Sequence, residues 1–404
     1  MRWRILALLF LARIGLGIQF QTLASVGDDL VVAYGLDYAG IGLLIGLFMA
    51  PGLVLALPAG FFGRFASDRI LAGLGLAALA VGGVVSGAAP DGWTIGLGRV
   101  LAGAGFLFAT LYFTKMVADW FEGREIATAM SILVMSWPFG IAMGQVGHAW
   151  LAEAYGWRVP FQAASVYCAL AALGVFLLYR PPNDLPPART GAPLRLSGQE
   201  WRLVLCAGIA WGVFNAGYVL YLSFGPSMLV SLGQSALSAA GIVSVGSWLM
   251  IFSGALCGQI ADRFGRRETI LTVCMAAAVA ALILLGVPQA GLTASLLFGL
   301  IGLAPAGVIV ALAGEAIRPE RRAFGMGIFF TVYYAIMTAA PPIAGAIFDA
   351  TAHSQGPLVF GMVLFASVVP AALAFRYFKT GGLFAAAVIP QAKEATESPF
   401  ERPY

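Results

Sequence analysis

Apolar stretches of about 20 residues recur along almost the entire chain, and this is the length that a helix needs to cross a bilayer. Of the 404 residues, 60% are hydrophobic and only 10% are charged, whereas soluble proteins carry about 25% charged residues. Lipid offers the backbone no hydrogen-bond partners, so only helices and closed barrels can span it. We therefore predict an all-α membrane protein with twelve transmembrane helices. They lie near residues 5–26, 39–62, 70–89, 93–117, 127–152, 158–179, 203–226, 238–260, 269–287, 291–313, 324–348 and 357–378.

Basic residues are concentrated in alternate loops between these helices. If the N-terminus is cytoplasmic, the inner loops carry nearly all the arginines, and Arg158 is the single cation of the outer loops. The acidic residues of the outer loops are Asp28, Asp29, Asp37, Asp91 and Asp349. Because Lys and Arg accumulate on the cytoplasmic side, we predict a protein of the cell inner (plasma) membrane with both termini in the cytoplasm.

A proline-rich polar segment divides the chain into halves with equal numbers of helices. This segment, RPPNDLPPARTGAPLRLSGQE, follows the sixth predicted helix, and its composition suits a semi-rigid linker. The predicted units are an N-terminal six-helix bundle at 1–179, the linker at 180–200, a C-terminal six-helix bundle at 201–378 and a cytoplasmic tail at 379–404.

The loop between the eighth and ninth predicted helices contains GQIADRFGRR, at residues 258–267, and a shift of 198 positions lays it on GFFGRFASDR at 60–69. This repeat indicates two pseudo-symmetric bundles related by an axis along the membrane normal. With GRVLAGAG around Arg99 and the Pro- and Gly-rich SWPFGIAMGQVGHAW, the motif resembles the major facilitator superfamily up to about residue 378. More loosely, the chain resembles its cyanate, nitrate and organic-anion branches. The resemblance implies alternating access by rocking of the two halves, in a functional monomer.

The resemblance also implies a gate at the cytoplasmic helix ends, where acidic residues meet loop arginines as the two halves close against each other. The residues expected to form it are Asp262, Arg263, Arg266, Arg267 and Glu315 in the second half, and Arg64, Arg69 and Asp119 in the first. The first-half copy departs from the pattern, because Arg64 stands where an acidic residue is expected. The alternative interpretation is a solvated basic loop that only fixes the topology.

Two arginines, Arg13 and Arg99, fall inside predicted helices, and no Asp or Glu falls in the middle of any of them. A charge at that depth costs about 2.5 kcal/mol or more, so it normally faces a wet cavity and serves a function. Guanidinium groups match carboxylate and oxyanion geometry. We therefore predict that both arginines bind a small anion. The alternatives are that Arg99 caps carbonyls of a neighbouring helix and that Arg13 reaches toward the interface.

Polar and aromatic residues recur at helical spacing along the seventh predicted helix, and they can line a transport cavity. The predicted cavity residues are Trp211, Asn215 and Tyr218, with Gln19 from the first helix and Tyr333 from the eleventh. Packing against a neighbouring helix is the alternative for each. Lys115 is expected to pair with Asp119, one turn away, and His148 is a weaker candidate for proton coupling.

These features predict a transporter of a small carboxylate or inorganic oxyanion, working by exchange or uniport because no membrane carboxylate is present to carry protons. One alternative is an exporter of drugs or metabolites on the same fold, possibly proton-coupled. Another is a membrane sensor that does not transport. Since no catalytic, phosphate-binding or metal-binding motif occurs, neither an enzyme nor a cofactor or metal is expected. The basic residues form no patch suited to nucleic acid.

Overall fold

The computed structural model describes residues 1–121, 125–182, 195–318 and 321–386, and within these ranges the chain contains helices and no strand. Twelve helices there are long and apolar enough to cross a membrane. In chain order they are α1 (Arg2–Ser25), α2 (Tyr38–Leu55), α3 (Asp68–Gly87), α4 (Gly92–Phe121), α5 (Ile126–Tyr155), α6 (Arg158–Leu178), α7 (Gly198–Ser231), α8 (Ala236–Phe264), α9 (Arg267–Leu285), α10 (Gly291–Ala316), α11 (Arg322–Thr351) and α12 (Gln355–Ala386).

The predicted all-α fold with twelve spans is confirmed, and two local features were not predicted. A short helix, Gly27–Tyr34, follows α1, and α12 continues to Ala386, beyond the predicted end at 378. Most of the predicted linker (183–194) and of the predicted tail (387–404) lies outside the described residues. Because the number of spans is even, α1 begins and α12 ends at the same face of the bundle. We call this the terminal face and the other the opposite face.

Within the N-terminal half, α3 and α4 lie in direct backbone contact. A Cβ atom added to Gly82 would collide with the Gly98 carbonyl and the Ala102 side chain, and one added to Gly105 would collide with the Gly75 carbonyl. Small residues at such contacts let helix backbones approach closely, which favours association in lipid. The pair therefore forms a tightly packed unit inside its half.

The two halves meet along α2 and α11, and we call this contact the α2–α11 seam. Near the opposite face Gly345 lies against the Tyr38 carbonyl, and near the terminal face Gly327 lies against Leu57. A second contact joins α5 to α8, where the Phe139 and Trp248 ring centroids are 5.0 Å apart, edge to face. The seam thus runs through most of the thickness of the bundle.

Candidate functional site

Arg13 of α1 lies in the interior and is held by the backbone of α5. Its Nη1 atom donates to the carbonyl oxygens of Leu133 (2.7 Å) and Val134 (3.3 Å) and to the Ser136 hydroxyl (3.1 Å). The Val134 carbonyl can accept this bond because its usual helical donor would be the N–H of residue 138, and Pro138 has none. The proline therefore provides an acceptor for the arginine.

The remaining donors of Arg13 are incompletely used. The side chain is only 8% exposed, and its Nε atom is buried with no hydrogen-bond partner. None of the ion pairs between described residues includes Arg13. A buried cation without a carboxylate partner is energetically costly, so an anion bound at this position would be stabilised by the guanidinium charge.

Aromatic side chains connect Arg13 with the C-terminal half. The guanidinium lies within electrostatic range of the Tyr334 hydroxyl of α11, and the Tyr334 ring crosses the seam to lie against Gly52 of α2. The Tyr333 and Tyr334 ring centroids are 5.0 Å apart, and Tyr333 stacks on Trp211 of α7 at 6.3 Å. Arg13, Trp211, Tyr333 and Tyr334 form what we call the central cluster, which joins α1, α7 and α11.

Arg99 of α4 is also buried, but each of its three nitrogen atoms already has a carbonyl acceptor. Nη1 donates to Gln19 (3.0 Å), Nη2 to Phe20 (3.3 Å) and Nε to Leu44 (3.3 Å). The Leu44 carbonyl is free to accept because the Phe48 N–H donates to Ile45 instead, where α2 departs from α-helical hydrogen bonding. The guanidinium also lies 4.4 Å from the centroid of the Phe48 ring. Arg99 therefore ties α1, α2 and α4 together, as in the carbonyl-capping alternative.

Three other predicted cavity residues make contacts within their own half. The Gln19 amide donates to the Leu79 carbonyl of α3 (3.1 Å), and the Tyr218 hydroxyl lies 2.6 Å from that of Ser247 in α8. The Asn215 amide donates to the Trp211 carbonyl of its own helix at 2.8 Å. The structure thus brings Arg13, Trp211 and Tyr333 into one cluster and does not bring Gln19 or Tyr218 to it.

At the terminal face of the C-terminal half, Arg267 connects two acidic residues. It bonds to Glu315 at the end of α10 and to Asp262 (3.3 Å), and Lys379 bonds to the second Glu315 oxygen at 2.6 Å. Arg263 and Arg266 form no ion pair with any described residue. We expected loop arginines to meet acidic residues across the two halves, whereas these pairs lie within one half, because the start of α9 is adjacent to the end of α10.

The N-terminal half has an equivalent cluster with the charges exchanged. Lys115 of α4 lies 2.6 Å from Asp68 at the start of α3 and 3.9 Å from Asp119, the predicted partner. The cation that bridges two acidic residues therefore comes from the fourth helix here, whereas in the C-terminal half it comes from the start of the ninth. Arg69 forms no ion pair among the described residues, and the side chain of Arg64 lies outside them.

Glu200 is a buried acid that we did not identify from the sequence. It is 5% exposed and forms a capping box with Ser197 at the start of α7. Its carboxylate also accepts a 2.8 Å hydrogen bond from Arg321 and lies 3.7 Å from the Arg318 guanidinium. The Ser-x-x-Glu spacing of SGQE was the signal that could have revealed it. Glu200 anchors the α10–α11 loop to the start of α7.

A second unpredicted acid connects the two halves at the opposite face. The Asp349 carboxylate, near the end of α11, accepts hydrogen bonds from the N–H groups of Tyr38 (3.0 Å) and Ala39 (2.8 Å). These N–H groups are the first two of α2, which have no partner inside their own helix. The Tyr38 and Phe348 ring centroids are 3.9 Å apart beside this bond. We call this contact the Asp349 cap.

A cavity of about 280 Å³ lies near the opposite face, between α1, α2, α5, α7 and α8. Its charged lining residues are all acidic: Asp28, Asp29 and Glu153. Asp28 accepts hydrogen bonds from the Tyr38 hydroxyl (2.9 Å) and from Ser227 of α7 (3.4 Å). Burial, and secondly the neighbouring Asp28, raise the pKa of Asp29 above its usual value. We call this the opposite-face cavity.

Twelve spanning helices in two halves, with a buried cation within electrostatic range of the second half and a cavity near one face, form the architecture of a multi-pass membrane carrier. The chain belongs to the Major Facilitator Superfamily, whose family model matches residues 5–341. Members of this family transport small molecules, so the prediction of a transporter is confirmed at that level.

Several curated proteins are similar to the chain over about two thirds of its length. An MFS-type efflux pump of Mycolicibacterium smegmatis is 23% identical over 70% of this chain and 69% of its own length. A probable 4-methylmuconolactone transporter of Cupriavidus pinatubonensis is 24% identical, covering 70% and 68%. A probable L-galactonate transporter of Escherichia coli is 25% identical, covering 66% and 64%.

Solved structures show the same fold over nearly the whole chain. A bacterial homolog of the human lysosomal transporter Spinster, inward-facing and unoccupied, superposes with a TM-score of 0.69 at 18% identity, covering 96% of this chain and 95% of its own. A mutant of the nucleoside transporter NupG superposes with a TM-score of 0.73 at 12% identity, covering 92% and 98%.

Proposed function

We propose that the protein carries a small organic anion across the inner membrane by alternating access, as a monomer with both termini in the cytoplasm. Arg13 is the charge partner of the substrate in this proposal. The observation that supports it is the state of that guanidinium: buried, attached to α5 by one nitrogen, with Nε unpartnered and no described carboxylate in an ion pair with it.

The position of Arg13 suits a substrate that must be bound and then released. The guanidinium lies within electrostatic range of Tyr334 of the other half, so a ligand that bridges the two side chains would couple the movement of the halves to its own binding. A guanidinium can bind a carboxylate with two parallel hydrogen bonds. Two relatives are named for an organic acid or its lactone, L-galactonate and 4-methylmuconolactone, and galactonate is a carboxylate.

The charge inventory favours exchange or uniport over coupling to protons through the protein. Asp and Glu are absent from the middle of the twelve helices, so no membrane carboxylate is available to carry a proton. The alternative is an exporter of drugs or metabolites, which the similarity to the efflux pump favours. The anion carrier and the exporter can be told apart by the charge of the solute that each transports.

Counterflow in proteoliposomes tests the proposal, with labelled L-galactonate as the anion and its uncharged lactone as the matched neutral solute. We expect Arg13→Gln to reduce galactonate counterflow at least about tenfold, since it removes the only charge at the central cluster. Lactone counterflow should change less. Arg158→Gln, at the opposite face over Trp157, is the control and should behave like the parent protein. Galactonate counterflow unchanged in Arg13→Gln would contradict the proposal, and movement of cationic dyes without anions would favour the exporter.

A further inference from the structure

The opposite-face cavity presents a problem for any carrier of anions. The substrate has to pass it to reach Arg13 from that face, yet its charged lining residues are three carboxylates and no cation. Like charges concentrated in a cleft with low-dielectric walls produce a strong local potential. A fully ionised carboxylate is therefore repelled where it must enter.

The charges that face this space come from several elements. Asp28 and Asp29 belong to the short helix Gly27–Tyr34, Glu153 to α5 and the Tyr38 hydroxyl to α2, while α7 and α8 contribute no charged group. His148 of α5 is buried nearby but does not line the cavity, and Asp349 bonds to the backbone of α2. No described cation neutralises the lining carboxylates.

The cavity wall also contains polar atoms that have no hydrogen-bond partner among the described residues. Gln145 lines it and is 1% exposed. Its Oε1 accepts a hydrogen bond from Gln21, while its amide nitrogen donates to no described residue. The Ser223 hydroxyl, also in the wall, is buried with no hydrogen-bond partner. A ligand group that both donates and accepts hydrogen bonds fits this wall, because the amide N–H and the hydroxyl can donate to it and the carboxylates can accept from it.

An un-ionised carboxyl group has this dual character, whereas a carboxylate only accepts. Its O–H can donate to Asp29 or Glu153, and its C=O can accept from the Gln145 amide. Gln145 lies nine residues beyond Ser136 along α5, so the cavity floor is about 13 Å from the level of Arg13. The two levels can therefore favour different protonation states of one substrate.

We propose that the opposite-face cavity is a binding site for the protonated, neutral form of the organic acid and that it excludes the anion. This inference rests on the proposed function and specifies the form in which the substrate passes the opposite face. The proton is carried on the substrate carboxyl group, taken from water before entry and returned to water after ionisation. No group of the protein changes its charge in this step.

Thiol labelling tests the exclusion of anions without knowledge of the substrate. Ala149 lines the cavity. The variant Ala149→Cys is labelled with two methanethiosulfonate reagents, one carrying an ammonium group and the other a sulfonate group. The labelling rate of each reagent is divided by its rate of reaction with free 2-mercaptoethanol. The parent protein corrects for its four cysteines, three of them buried. We expect the cationic reagent to react at least about tenfold faster. The preference should shrink in high salt and should fall to within about threefold in Ala149→Cys combined with Asp28→Asn, Asp29→Asn and Glu153→Gln.

Transport tests the neutral form itself. Galactonate entry from the opposite face at limiting concentration should fall about tenfold for each pH unit above the pKa of the acid, as its protonated fraction does. The triple variant without the reporter cysteine should lose most of this dependence. Equal labelling rates or pH-independent entry, with galactonate still carried, would overturn this inference alone. If no galactonate moves at any pH although the cationic reagent is preferred, both the proposed function and the neutral-acid site are wrong.

Discussion

At the scale of single residues, the two intramembrane arginines differ in what their guanidiniums contact. Both meet backbone carbonyls at places where a helix departs from regular hydrogen bonding, below Pro138 for Arg13 and around Phe48 for Arg99. Arg99 donates to carbonyls from all three of its nitrogens, and Arg13 donates from only one. Arg99 is therefore suited to hold helices together, whereas the Nε atom of Arg13 has no protein partner, as the proposed substrate-binding role requires.

The first prediction concerns Arg99. Lysine cannot reproduce the planar fork that reaches three carbonyls on two helices, so Arg99→Lys should lower the free energy of unfolding by about 3 kcal/mol. Reversible unfolding in detergent micelles measures it. Arg158→Lys, the same substitution at an exposed position over the Trp157 ring, should change stability by less than about 0.5 kcal/mol. If Arg99→Lys and Arg158→Lys unfold with the same free energy, the three hydrogen bonds from Arg99 to carbonyls do not contribute to stability.

The sequence was sufficient to find both arginines, because a charge within an apolar run is visible in one dimension. It could not assign their partners. Pro138 marks the free carbonyl of Val134 in advance, but which helix faces that carbonyl depends on packing. Gln19 and Tyr218 show the same limit, because each lies on a helix that borders both its own bundle and the other half. Helical spacing indicates a polar stripe without showing which way it points.

At the scale of helices, the Asp349 cap makes the start of α2 depend on the opposite half. Asp37, the residue before α2, caps the Gly40 N–H at 2.7 Å, and Asp349 takes the Tyr38 and Ala39 N–H groups. One helix end is thus capped from two halves of the molecule, and Asp349 is 311 positions from Tyr38, whose N–H donates to it. The hydrophobic length of each span predicted the helices, but no local pattern reveals a cap supplied over such a separation.

We predict that Asp349→Ala favours opening at the opposite face. Loss of a helix cap costs about 1–2 kcal/mol, and here that energy is lost only where the halves are closed, so the ratio of closed to open molecules should fall about five- to thirtyfold. Electron–electron distances between spin labels at Val32→Cys and His353→Cys, both exposed, report the change. Asp37→Ala removes the local cap and should leave the distances unaltered. A similar distance shift in both variants would argue against a cross-half role for Asp349.

At the scale of the whole molecule, charge is arranged in layers from face to face. The terminal face carries paired clusters around Lys115 and Arg267, the central cluster holds one cation, and the opposite-face cavity is acidic. The cluster pairs are exposed, so each stabilises the protein only modestly. The sequence alignment of Asp68 with Arg266 shows a change of charge between the halves, but Arg266 is not part of the C-terminal cluster. Which residues form each cluster, and its confinement to one half, became evident only from packing.

Glycines form close contacts both between the two halves and within one half. Alternating access predicts that a larger side chain has a different effect at each kind of contact. Gly345 lies against the Tyr38 carbonyl between the halves, whereas Gly82 lies against Gly98 within one half. If each half moves as a rigid unit, Gly345→Val should obstruct closure at the opposite face without unfolding the protein. Gly82→Val should instead reduce thermal stability and the yield of monodisperse protein, since it separates helices that stay packed throughout.

The same spin-label pair distinguishes these outcomes. Gly345→Val should show only the longer distances, keep a parent-like melting profile and lose counterflow. Gly241→Val is the matched control, because a Cβ there meets no atom within 4 Å, and it should resemble the parent in all three measurements. Short distances retained in Gly345→Val would show that the α2–α11 seam accommodates a larger side chain when closed, so that the halves do not meet as rigid bodies. In that case the rocking of rigid halves, on which the roles of Arg13 and of the Asp349 cap both depend, would not apply to this carrier.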